Sequence, residues 1–119
     1  MNPYQSEREI ESVVRGFESC ETGKDEFKHR HHLVVAVWYL RTLSREAAVD
    51  RMRSSLLRFL DHHGVDRKKY DETITVFWIE RVAAQLSELG PDLSLVEKCN
   101  RILESPEFRK EKGPERSAA

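Results

Sequence analysis

The sequence has no run of alternating apolar and polar residues, so it offers no convincing strand. It has no apolar stretch of the roughly 18 residues that a membrane span needs, so no membrane partner is expected. It has no excess of either charge: 20 Lys and Arg face 21 Asp and Glu, a net charge of −1. Without a dominant basic field, nucleic acid and acidic lipid are disfavoured partners. The two cysteines, Cys20 and Cys99, form no C-x-x-C pair. The opening MNPYQSEREIES has no basic start followed by an apolar run, so a signal peptide is not expected. Isolated cysteines without an export signal read as reduced thiols in a cytoplasm.

What is present is helical periodicity. With 119 residues the chain has the length of one domain and can bury a core without disulfide or metal staples. Five segments carry a 3.6-residue apolar period, at about 2–19, 26–43, 45–63, 68–89 and 94–104. Ser44 and Ser94 stand as N-caps, with Glu97 completing a capping box at the second. Gly64 stands where the third helix should stop. The expectation is an all-α, up-down bundle of four main helices plus a short fifth, with the second and fourth as the central pair. Residues 1–105 form the single domain, and the segment 106–119, PEFRKEKGPERSAA, reads as a disordered charged tail.

The stretch EFKHRHHLVVAVWYL, residues 26–40, crowds His29, His31 and His32 at the mouth of an apolar run. At about 100° per residue, His29 shares a face with Leu33, Ala36, Leu40 and Leu43, and His32 lies about 60° to one side. His31 points the opposite way, into solvent. Glu72 shares a stripe with Val76, Ile79, Ala83 and Leu86, and His63 a face with Ala48, Met52, Leu56 and Phe59. In an up-down bundle these ends meet, so His29, His32, His63, Glu72 and Glu18 are expected in one layer. Imidazoles at i and i+3 can share an ion, and with one carboxylate they suit Zn, Fe or Mn.

Each residue also has a structural reading. Glu72 suits a first helical turn, and His62 and His63 suit a last turn, through the helix dipole alone. His29 and His32 can be part-buried imidazoles held by hydrogen bonds. Trp38, Trp78, Tyr39, Tyr70 and Phe77 read as core. Glu26 and His29 give one E-x-x-H spacing without the partner that a dinuclear site requires.

Phe27-x-His29-x-x-His32-Leu33 with Trp38-Tyr39-Leu40, and Tyr70-x-Glu72-Thr73-Ile74-Thr75 with Phe77-Trp78, resemble the motifs of a family of small uncharacterised bacterial helical proteins. The resemblance covers Phe17 to Val82. It implies that His29, His32 and Glu72 are the distinctive polar positions. The chain departs at Asp71, where the family pattern has His; if that His is a ligand, Asp71 replaces it with a changed metal preference.

Three functions are therefore expected to compete. The first is a cytoplasmic metal-binding protein or small metalloenzyme, with His29 and His32 as ligands, Glu72 as ligand or base, and His63 in support. The second is a non-catalytic helical module that binds a protein partner, its polar cluster holding helix ends together. The third is a metal-free pocket for a small molecule, with His32 and Glu72 as an acid-base pair.

Overall fold

The computed structural model describes residues 3–109. It is an all-α bundle: α1 (Glu7–Glu18), α2 (His29–Leu40), α3 (Arg45–His62), α4 (Glu72–Leu89), α5 (Leu95–Glu104) and a single turn, α6 (Pro106–Arg109). A 3-10 turn, Arg67–Lys69, lies between α3 and α4. No helix among the described residues is long and apolar enough to cross a membrane.

The helix starts follow from side-chain oxygens that satisfy orphan backbone amides. Ser6 accepts from the Glu9 amide, Ser44 from Ala47 and Asp71 from Ile74. Ser94 and Glu97 exchange bonds of 3.1 and 2.9 Å, a reciprocal capping box. Gly64 and Gly90 take positive φ, 70° and 83°, just past α3 and α4. Cys20 takes the same left-handed geometry past α1 without being glycine (φ 66°).

The core is centred on α2. Its run Leu33, Val34, Val35, Ala36 and Val37 is buried all round, which requires neighbours on every side. It touches each of the other five helices. The expected partner at the centre, α4, packs on α2 but buries only Thr75, Ile79 and Val82. From another side α5 closes the core with Cys99, Asn100 and Ile102. Cys20 and Cys99 are both buried, free thiols. Asn100 is 5% exposed and pins the chain ahead of α1: its Oδ1 accepts from the Tyr4 amide and its Nδ2 donates to the Tyr4 carbonyl.

Two connections set the topology. The turn 41–44 simply reverses the chain between α2 and α3. The segment 63–71 instead carries the chain back along α3, while 19–28 is a loop whose ends meet where Phe27 stacks on Phe17 at 4.3 Å. Glu72, at the start of α4, therefore lies beside Arg53 in the middle of α3 rather than beside its end. Glu18, at the end of α1, reaches Tyr39 in the last turn of α2, at 2.5 Å.

Residues 106–109 of the expected tail are part of the fold. Phe108 is 1% exposed, because an aromatic ring placed beside Trp78 gains more from burial than from solvent. The remainder of that tail, residues 110–119, lies outside the described residues.

Candidate functional site

The first turn of α2 gives its three histidines three different partners. Lys28 occupies the N-cap position but carries no side-chain acceptor. His31 supplies one: its Nδ1 accepts the Lys28 amide at 2.9 Å. His31 is half-buried in this role, not the solvent-facing residue that angular placement predicts. Position N3 of a helix can fold back onto the N-cap amide, which is the task Glu or Gln performs in a capping box.

His32 turns the other way. Its Nδ1 donates to the Lys28 carbonyl at 3.2 Å, and Phe27 meets it edge-on with ring centroids 4.6 Å apart. A carbonyl only accepts, so the proton of the neutral ring is on Nδ1 and the lone pair on Nε2. Burial pushes the pKa of His32 down to about 4, against the hydrogen bond it donates to the Lys28 carbonyl, with His29 and His31 adding to the fall. The ring is therefore neutral at pH 7.

His29 donates from Nε2 to the carbonyl of Phe108 at 2.9 Å and meets Trp78 at 5.0 Å between centroids. In the neutral tautomer that this bond selects, the lone pair is on Nδ1.

His29 and His32 line one cavity of about 470 Å³ between α2, α3, α4 and the 3-10 turn. Its apolar wall is made by Ala36, Met52, Leu56, Leu60, Ile74 and Ile79. Its polar rim carries Lys28, Lys69, Tyr70 and Asp71 beside the two imidazoles. Trp78 also lines it, and the buried indole Nε1 has no hydrogen-bond partner among the described residues.

Glu72 and His63 are not part of that lining. Glu72 is exposed and held by Arg53 through two bonds, 2.9 and 2.6 Å, and by the Tyr70 hydroxyl at 2.6 Å. The Arg53 guanidinium, then Tyr70, holds its carboxyl down at about 2. The physical reason is rotation as well as topology. The buried stripe of α4 runs through Thr75, Ile79 and Val82, turned away from the stripe expected through Val76 and Ala83, so Glu72 falls on its margin. His63 is at the histidine end but packs its ring on Phe59 at 4.5 Å and His62 at 4.9 Å. The rings of Phe27 and Phe59, 5.5 Å apart, stand between it and His32. Glu18 is engaged by Tyr39 and by Arg51 at 3.3 Å, away from the histidines.

Asp71, noted in the sequence only as the departure from the resembled motif, takes the place expected of Glu72. Its carboxylate caps α4 through the Ile74 amide at 3.1 Å while the residue lines the cavity. The signal was available: an Asp directly before an apolar-periodic segment marks an N-cap. No group of three or more His, Cys, Asp or Glu side chains placed to hold a metal ion occurs among the described residues.

What the arrangement can do chemically is bind. It offers an apolar pocket, cations at the rim, an aspartate and a neutral imidazole with an acceptor lone pair. Compared with protein families, with curated proteins and with solved structures, the chain has no match.

Proposed function

We propose that this protein binds a small amphipathic molecule in the cavity between α2, α3 and α4. One observation carries the reading: His32, its tautomer fixed by the Lys28 carbonyl, lines a cavity of about 470 Å³ whose remaining wall is largely apolar. Ligand pockets combine an apolar lining with a few placed polar groups, and this one has the size to take such a molecule. The ligand's apolar body lies against Met52, Leu56 and Ile79. Its head presents a donor to His32 Nε2 and an acidic group to Lys28 and Lys69. A histidine held neutral with a pKa of about 4 is a hydrogen-bond acceptor at pH 7 and a weak proton donor or base, so the proposal assigns it no catalytic step. A cytoplasmic setting belongs to the same proposal, and the two free thiols are compatible with it. So does the resemblance to the small bacterial helical family, whose motif positions 29, 32 and 71 then line one pocket.

The test is titration with 1-anilinonaphthalene-8-sulfonate, which has apolar rings, an N–H donor and an anionic head. Saturable one-to-one binding is expected. Ala36→Leu, which fills the pocket from a buried position, should abolish it while the fold is retained. Equal binding by both proteins, or none by the wild type, refutes the reading.

A divalent metal is the second reading, favoured by Asp71 lining the same cavity as His29 and His32. Zn, Fe or Mn would be taken by His29 Nδ1 and His32 Nε2. A rise in the wild-type melting midpoint with one of these ions, lost in His32→Gln, selects it.

A further inference from the structure

A second cavity, of about 480 Å³, opens beside the first turn of α2; it shares Lys28 and His29 with the first, and the function proposed above leaves the rest of it unused. Its walls include Tyr4, Lys28, Arg30, His31, Phe108 and Arg109. Among the described residues, no Asp or Glu lines it.

That lining is unusual for this chain, whose charges nearly cancel. Five of the twelve arginines among the described residues are matched by carboxylates: Arg15 with Glu11, Arg51 with Glu18, Arg53 with Asp50 and Glu72, Arg67 with Asp61, Arg81 with Glu107. Among the described residues, Lys28, Arg30 and Arg109 have no carboxylate within ion-pair distance. Three cations gathered at one concavity repel one another unless an anion joins them.

The polar groups also share one sense. Lysine and arginine can only donate hydrogen bonds. His31 accepts the Lys28 amide on Nδ1, so its neutral ring carries the proton on Nε2, a donor. Tyr4 adds a hydroxyl. The charge is felt locally: burial, then Arg30, then Lys28 lowers the pKa of His31.

We propose that this cavity binds a phosphate group, as free orthophosphate or as the phosphate of a small monoester. The phosphate oxygens are acceptors only, and guanidinium forks suit them. Leu33 and Leu103, which also line the cavity, give an apolar surface for the organic part of an ester.

The experiment is titration of the full chain with inorganic phosphate and, separately, with phenyl phosphate at low ionic strength. Amide resonances of residues 28–31 report the site. Both Arg30→Gln and Arg109→Gln alter exposed side chains and should keep the fold, which circular dichroism checks. Each should weaken binding by about tenfold or more, the effect of one lost charge-assisted hydrogen bond. Arg45→Gln, an equal charge change at the start of α3, should leave it within about twofold, since screened distant charges contribute little. Tighter binding of phenyl phosphate assigns a monoester; equal binding assigns orthophosphate. No saturable binding, or equal weakening by Arg45→Gln, overturns the proposal. Neither Arg30 nor Arg109 lines the cavity around His32, so failure here leaves that reading intact.

Discussion

The imidazole of His29 and the main-chain carbonyl of Phe108 are 79 residues apart in sequence and 2.9 Å apart in space. This bond ties the last described turn of the chain to the first turn of α2. Phe108 adds its ring, 5.7 Å from that of Trp78. Phe108→Ala should therefore cost about 3–5 kcal/mol, the range for emptying a buried aromatic site. Urea denaturation measures it. A loss below about 1 kcal/mol would mean that α6 contributes nothing beyond a surface turn.

Stability should fall as pH drops, and His32 should be a principal cause. In the unfolded chain its imidazole takes up a proton near its ordinary pKa of 6.5, whereas in the folded protein it does so only near 4. Between these values the unfolded state binds more protons, so stability is lost as pH falls through that window. Above about pH 6.5 both states are neutral at this group and the contribution is flat. The full shift is worth about 3 kcal/mol as an upper bound, because the cavity mouth admits solvent. His31 is shifted in the same direction and adds to the slope. His32→Gln should show a shallower decline between pH 7 and pH 4 in chemical denaturation. An identical slope would refute the assignment.

Glu72→Gln should do little. Its carboxyl is held near 2 by Arg53 and Tyr70, yet the group is exposed. Solvent-exposed ion pairs contribute about 0–1 kcal/mol. Melting should barely move, and dye binding in the cavity should be unchanged. Loss of ligand or metal binding in this variant would restore Glu72 to the site.

Asn100→Ala removes both bonds to the backbone of Tyr4. The cost should be about 1–3 kcal/mol, since two main-chain groups lose their partners. Hydrogen exchange at the Tyr4 amide should quicken more than exchange in α3. Uniform acceleration would show that Asn100 supports the whole core and not this attachment.

The fold was legible where periodicity and caps agree. Ser44, Ser94 with Glu97, and Gly64 mark helix ends that the structure reproduces. The unbroken apolar run of α2 correctly marks the central helix. The direction of chain travel was not legible, because nothing in 19–28 or 63–71 says whether a connection turns at once or runs back along a helix. That ambiguity decides the site. It leaves His29 and His32 where helical angles put them, and it moves Glu72 and Glu18 to other partners. Asp71 was noted only as a departure from the resembled motif; its place directly before an apolar-periodic segment, which marks an N-cap, went unread, and the same residue lines the cavity. Phe108 was obscured by the charged residues around it.

The two cysteines make the folded state chemically silent. Cys99 has no exposed surface and burial pushes its thiol up to about 12; Cys20 is 6% exposed. Alkylating reagents attack thiolates they can reach. A molecule that reacts is therefore one that has opened. The rate of maleimide uptake by the unmodified chain becomes a clock for its excursions from the native state, read at each sulfur separately. Cys20 reports the turn after α1, and Cys99 the closure of α5 over the centre of the bundle.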